Sequence, residues 1–227
     1  MGTLSCLSII RLKRRGMDEE RLKERRKVHL AARYATSAYD LFKNGQYKQS
    51  IAEWNKAIKL TPKNEKGLMA HSYVGRAQTY ANNGQYKQSI ADCTKAIKLD
   101  PNMAVAYQTR ALAHRGKGEY DQGIADCRKA MNLDPNIIRL NETMAILYVS
   151  RAMVYVEKGD YDRGIFDCSE AIELNPNSDS AYWTRAIAYK LVGEKADAIA
   201  DLEKLITLTN DPQAIKRARQ RIMELSE

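Results

Sequence analysis

Small and apolar residues recur at helical spacing from residue 31 to residue 210, in paired runs: one run, a glycine, a second run, then a proline. Aligned on Gly45, Gly84, Gly118, Gly159 and Gly193, they form five units spaced 39, 34, 41 and 34 residues apart, with 34 as the basic period. Asn-Gly-Gln-Tyr-Lys-Gln-Ser-Ile-Ala stands at 44–52 and again, unchanged, at 83–91, so the chain is built by duplication. The fourth position of the units holds Tyr34, Tyr73, Tyr107, Tyr148 and Tyr182, and the eighth holds Ala38, Ala77, Ala111, Ala152 and Ala186. After the glycine come Tyr47, Tyr86, Tyr120 and Tyr161, then Ile51, Ile90, Ile124, Ile165 and Ile199, then Ala57, Ala96, Ala130 and Ala171. The pattern predicts helix, turn and helix in each unit.

Prolines mark the boundaries. Pro62, Pro101, Pro135 and Pro176 each close a unit, and Pro212 opens a final helix behind Asp211. In that last segment Ile215, Ala218, Ile222 and Leu225 share one face while Lys216, Arg217, Arg219 and Arg221 face away, which suits a helix capping the end of a stack. Five extra residues precede Ala70 and seven precede Ala145, without proline. They read as extra turns on the first helices of units 2 and 4, projecting at one edge and offering Ile138, Leu140 and Met144 as a secondary contact surface.

The small-residue, turn-glycine, aromatic, alanine and proline positions resemble the tetratricopeptide repeat across residues 31–210, about four fifths of the chain. The resemblance implies an all-α fold, a right-handed superhelical α-solenoid of antiparallel helix pairs. The expected organisation is a flexible basic tail at 1–17, five repeats at 31–64, 70–103, 104–137, 145–178 and 179–210 with a lengthened first helix from residue 18, and a capping helix at 211–227. The fifth unit departs from the pattern, with Lys195, Leu205 and Asn210 in place of the aromatic, alanine and proline, as terminal repeats do.

Family resemblance also implies a concave groove lined by positions 2, 5, 9 and 12 of each first helix. Here these include Ala35, Tyr39 and Phe42; His71, Val74 and Gln78; Val105, Gln108, Leu112 and Arg115; Ile146, Val149, Met153 and Val156; and Trp183, Ile187 and Lys190. Some family members clamp acidic chaperone tails with Lys, Asn and Arg at such sites. In units 1 to 3 this chain has mostly Ala, Tyr, Val and Gln, so the clamp is absent. An apolar groove anchored by Tyr39, Phe42, Met153 and Trp183 suits an amphipathic helix or a hydrophobic peptide.

Composition agrees with helices: 12 Gly and 5 Pro in 227 residues are too few to punctuate many strands. The net charge of +9 is uneven. Residues 1–30 carry nine Lys/Arg against four Asp/Glu, whereas 31–210 carry 24 against 21. Arg11, Lys13, Arg14 and Arg15, beside Leu7, Ile9 and Ile10, support an alternative reading in which the N-terminal segment docks on an anionic membrane or nucleic acid. No run approaches 18 apolar residues and no secretory signal is apparent, so the expected location is cytoplasmic, with peripheral membrane association as the variant.

Candidate chemistry resolves into packing. Cys93, Cys127 and Cys168 share one second-helix position with Trp54 and Leu202, and repeat spacing sets them roughly 10 Å apart, too far to share a zinc ion. Arg76, Arg110, Arg151 and Arg185 recur sixteen residues before Asp92, Asp126, Asp167 and Asp201; unit 1 lacks the arginine and carries Glu53 for the aspartate. These read as structural Arg-Asp pairs joining the helices of each unit and reaching the neighbouring unit. His29, His71 and His114 have no acid or cysteine at ligand spacing, and no phosphate loop, nucleophile elbow or zinc helix is present. The expectation is a protein-binding scaffold or adaptor, co-chaperone-like, without catalysis, metal, cofactor or small-molecule substrate.

Overall fold

The computed structural model describes residues 19–227, and among them every regular element is an α-helix. The helices are α1 (Glu19–Lys43), α2 (Tyr47–Leu60), α3 (Lys66–Asn82), α4 (Tyr86–Leu99), α5 (Ala104–Lys117), α6 (Tyr120–Leu133), α7 (Leu140–Glu157), α8 (Tyr161–Leu174), α9 (Asp179–Val192), α10 (Lys195–Leu208) and α11 (Pro212–Ser226). The expected basic tail, with Arg11, Lys13, Arg14 and Arg15, lies outside the described residues.

Two compact halves divide between Lys117 and Gly118. In the first, α1 packs on α2, α2 on α3, α3 on α4 and α4 on α5; in the second, α6 to α11 pack successively in chain order. First helices of neighbouring repeats also touch directly, α1 with α3 and α3 with α5 in one half, α7 with α9 in the other. Within each half the first helices therefore lie on the inner side of the bend.

Local chemistry fixes the turns. Gly45, Gly84, Gly118, Gly159 and Gly193 all have φ between +72° and +91°, a region in which a side chain costs energy. In repeat 1 the Gly45 N–H donates to Phe42 O at 3.0 Å and the Gln46 N–H to Leu41 O at 2.9 Å, closing the first helix. At the far end of the second helices Asp100, Asp134 and Asn175 are extended, as a following proline requires, and their side chains accept the N–H of Asn102, Asn136 and Asn177 at 3.0, 3.0 and 3.2 Å.

The interior is built on small residues. Ala38, Ala77, Ala111 and Ala152 are fully buried, as are the second-helix residues Ala57, Ala96, Ala130 and Ala171. Where α1 and α2 meet, the Ser50 hydroxyl donates to Ala38 O at 2.7 Å, and where α7 and α8 meet a Cβ on Gly164 would lie 2.8 Å from Val156 Cγ2 and 3.4 Å from Ala152 O. Backbones come this close because neither face carries a large side chain.

The inserted residues lengthen two helices: α3 begins at Lys66, ahead of Ala70, and α7 at Leu140, ahead of Ala145. The expected contact surface at this edge is corrected, since Leu140 and Met144 are buried while Ile138 is 81% exposed. Leu140, Met144 and Tyr148 stand four residues apart, on the stripe that α7 turns inward, so the added turn extends the core. Arg139, just before it, holds φ +62° and pairs with Glu142 at 2.9 Å. At the other end, Asp211 caps α11 by accepting the Gln213 N–H at 2.9 Å, and Ala218 and Leu225 pack with Leu202 and Leu205 of α10.

Candidate functional site

The recurrent arginines sit where first and second helices cross. Arg76 grips Asp92 with two hydrogen bonds of 2.6 and 2.9 Å, Arg151 grips Asp167 at 2.7 and 2.7 Å, and Arg185 grips Asp201 at 2.8 and 2.8 Å. The remaining Nη1 of each arginine reaches the preceding second helix: Arg76 to Asn55 at 2.5 Å, Arg110 to Thr94 at 3.2 Å, Arg185 to Ser169 at 3.0 Å. Arg151 departs from this register. The equivalent residue before it is Arg128, which donates to the Tyr148 hydroxyl at 2.9 Å, and Arg151 bonds Asp121 instead. Arg76 also lies over Tyr73 and Tyr80, and Arg151 over Tyr148 and Tyr155. Asp201 holds the Arg185 guanidinium further above its already high pKa, and Asp167 does the same for Arg151. These guanidinium groups are fully engaged within the fold and offer nothing to an external anion.

Cys93, Cys127 and Cys168 are completely buried and unbridged. Burial pushes the Cys127 and Cys168 thiols up to about 12, so both are neutral and unreactive at physiological pH. His71 bonds Gly67 O through Nδ1 at 2.8 Å, a helix-internal contact. Among the described residues no group of three His, Cys, Asp or Glu side chains is placed to hold a metal.

What remains open is the inner face. In the first half Tyr39 is exposed and stacks on Phe42 at 6.4 Å, with the Lys43 ammonium 4.6 Å from its ring. His71, Leu112 and Arg115 are exposed there, and Gln78 and Gln108 half-buried. In the second half Met153 is 51% exposed, and Trp183, Ile187 and Lys190 are half-buried. Val74 and Val149 are corrected: at 5% and 6% exposure they belong to the core and meet no partner. Both occupy the fifth position of their repeat, four residues after buried Ala70 or Ala145 and three before buried Ala77 or Ala152, which is the packed stripe.

Two cavities open beside Trp183. One, of about 340 Å³, is bordered by Met153 of α7, Trp183 and Asp179 of α9, Leu205 of α10, the cap residue Asp211, and Ala214 and Arg217 of α11. The other, of about 240 Å³, is bordered by Trp183, Ala186, Ile187, Lys190 and Leu191 of α9, Leu202 of α10 and Arg221 of α11. The Arg217 guanidinium stands 6.0 Å from the Trp183 ring. Sequence reasoning placed these arginines on the outward face of a cap and did not count them in the site. The overlooked signal is order: α11 packs on α10 as α9 packs on α8, so its residues stand where a sixth first helix would place its own.

The tetratricopeptide-repeat family matches at residues 70–103, 104–137 and 145–178. The chain is a tetratricopeptide-repeat protein. Its all-α solenoid fold recurs in solved structures. MamA superposes with a TM-score of 0.60 at 20% identity, over 78% of this chain and 91% of that one. YrrB, described as a tetratricopeptide-repeat protein with an unusual peptide-binding site, does so with a TM-score of 0.58 at 16% identity, over 82% and 90%. The first such domain of human RPAP3 gives 0.50 at 21% identity, over 55% and 94%. At these identities the likeness is one of fold. The search of curated proteins finds no match. In this tetratricopeptide-repeat protein no described helix is long and apolar enough to cross a membrane.

Proposed function

We propose that this protein is a scaffold or adaptor that holds a peptide or amphipathic helix of a partner protein against the first-helix face. The observation that carries the reading is the row Ile146, Met153, Trp183 and Ile187, apolar yet exposed or half-buried, with the 340 Å³ cavity opening at Trp183. Large apolar side chains left accessible around an aromatic anchor are what protein contact uses. YrrB, with the same fold, is described as having a peptide-binding site. Interaction is the general role of tetratricopeptide-repeat proteins, and the arginines and cysteines here are absorbed by packing.

Affinity capture from native lysate tests this, using the full chain, a version beginning at Met17, and a Trp183→Ala/Met153→Ala variant. Groove binding predicts that the first two retain the same protein and the variant loses it. Capture that vanishes with residues 1–16 and persists in the variant would overturn the groove reading.

A further inference from the structure

Charge separates the two halves. Residues 19–117 carry 19 Lys/Arg against 8 Asp/Glu, a surplus of 11, whereas residues 118–227 carry 14 against 19. Equivalent positions of the second helices show the change most clearly. The second residue of α2 and of α4 is Lys48 and Lys87, where α6 and α8 have Asp121 and Asp162; the thirteenth is Lys59 and Lys98, where α6 and α8 have Asn132 and Glu173. Eleven residues make three helical turns and about 20° more, so Lys48 and Lys59 share one face of α2 about 16 Å apart, and Lys87 and Lys98 do the same on α4. All four are exposed.

These lysines are not neutralised by the fold. Residues 47–65 and 86–103 hold seven lysines and four acids, and two of the acids are already taken: Glu53 pairs with Lys56 at 2.7 Å, and Asp92 with Arg76 at 2.6 Å and Lys95 at 3.3 Å. Lys48, Lys59, Lys63, Lys87 and Lys98 have no ion pair among the described residues, and Glu65 and Asp100 are the other acids of these segments. At the C-terminal end of α2 a cavity of about 690 Å³ is bordered by Lys27, Lys59 and Lys63, with Glu24 as its one acid. No large apolar side chain is exposed on α2 or α4. Their rings are taken up in packing: Tyr47 lies 6.0 Å from Phe42, Trp54 fills the space over Gly75 and Tyr86 the space over Gly116.

We propose that the outer face of α2 and α4 is a docking surface for double-stranded nucleic acid, held through its phosphates. Each lysine pair spans about 16 Å, close to a major groove of roughly 12 Å with the phosphates on its rims, so the two ends of a pair meet the two strands. Other macromolecular anions fit less well. A protein segment or a lipid surface is anchored by exposed apolar side chains, and a single strand by exposed rings on which its bases stack. This face has neither. Without contacts to base edges the binding is independent of sequence. The second helices lie outside the bend and the first helices inside it, so a bound duplex leaves the first-helix face open. The inference therefore stands whether or not a partner fills the groove.

The test is fluorescence anisotropy of a labelled DNA duplex of roughly 20 base pairs with the full chain and three variants, each lacking four positive charges and each shown to be folded by circular dichroism. One is Lys48→Gln/Lys59→Gln/Lys87→Gln/Lys98→Gln on the outer face. The second is Lys129→Gln/Lys195→Gln/Lys204→Gln/Lys216→Gln in the second half, and the third is Arg11→Gln/Lys13→Gln/Arg14→Gln/Arg15→Gln. At about 50 mM salt the native chain is expected to bind with a micromolar Kd, and two unrelated duplex sequences alike. The outer-face variant loses about thirtyfold or more, and the slope of its log K against log salt is shallower by about 3; the other two variants lose less than about fivefold. Equal losses in the outer-face and second-half variants, a greater loss in the N-terminal variant, or no binding at about 0.1 mM protein overturns the proposal. So does competition by polyglutamate or by phosphatidylserine vesicles that matches unlabelled duplex at equal charge.

Discussion

The indole of Trp54 fills the space that a side chain at position 75 would need: a Cβ built on Gly75 would lie 2.2 Å from Trp54 Cζ2. The two residues belong to successive repeats. Where the preceding repeat has Cys93, Cys127 or Cys168 at the Trp54 position, the following one carries Thr109, Ser150 or Thr184 at the Gly75 position. A large residue on one side is matched by the smallest on the other. The Trp54 N–H is buried without a partner, so the ring is retained for its volume.

Gly75→Ala should therefore cost about 2 kcal/mol by overpacking, although alanine ordinarily favours a helix over glycine. Trp54→Cys should cost about 3 kcal/mol by leaving a cavity. Combined as Trp54→Cys with Gly75→Thr, the pair adopts the side chains of the other repeats, and urea denaturation should return at least about 1 kcal/mol less than the sum of the losses of Trp54→Cys and Gly75→Thr made singly. Strict additivity would show that the two positions do not share one space.

Removing one partner of a buried pair leaves the other charge exposed to a dry interior. Arg185→Ala should destabilise by about 3 kcal/mol, and Ser169→Ala, which takes away only the accessory acceptor, by about 1 kcal/mol or less. Asp121 and Asp162 occupy the same position of their repeats, but only Asp121 bonds an arginine of the next first helix. Asp121→Ala should lower the urea midpoint measurably, and Asp162→Ala should leave it within about 0.5 kcal/mol.

Period, turn glycines, proline boundaries and helix pairs were all readable, because each is written locally and repeated. Residues that meet between repeats were not, because one chain does not say which position touches which. Leu140 and Met144 were misplaced for that reason: an insertion reads as a projection unless its phase is followed into Tyr148. Arg128 was overlooked for the same reason. Its size and charge displace a small acceptor and send Arg151 to Asp121. At the candidate site the accessibility of Tyr39, Met153 and Trp183 agrees with their positions in the repeat, the burial of Val74 and Val149 does not, and the place of Arg217 and Arg221 beside Trp183 could not be read from one helix taken alone.

Position five against position nine can be tested directly. Val149→Ala, in the core, should cost about 1–2 kcal/mol of stability. Met153→Ala, 51% exposed, should change the melting temperature little while weakening partner capture. The reverse ranking in thermal melts would place Met153, not Val149, inside the packing.

Cys127 and Cys168 make the fold sensitive to alkaline conditions. Their thiols titrate near 9.0 when exposed and are held up to about 12 when folded, so the native state keeps protons that the unfolded state gives up. Stability from this source is complete below about pH 9 and declines as pH rises toward 12. A Cys127→Ala/Cys168→Ala variant should show a shallower fall in melting temperature between pH 9 and about 10.5, and neither native thiol should react with a disulfide reagent at pH 8.

The backward reach of the arginines gives growth of such an array a direction. A hairpin added behind α10 would bring its own guanidinium and find a ready acceptor, because Asn55, Thr94 and Ser169 show that a small polar residue on the earlier second helix suffices. A hairpin added in front would meet a helix that carries Ser37 where the later repeats have arginine, and so would find no guanidinium to fasten it. Added at the rear, each new segment arrives with its fastening already attached.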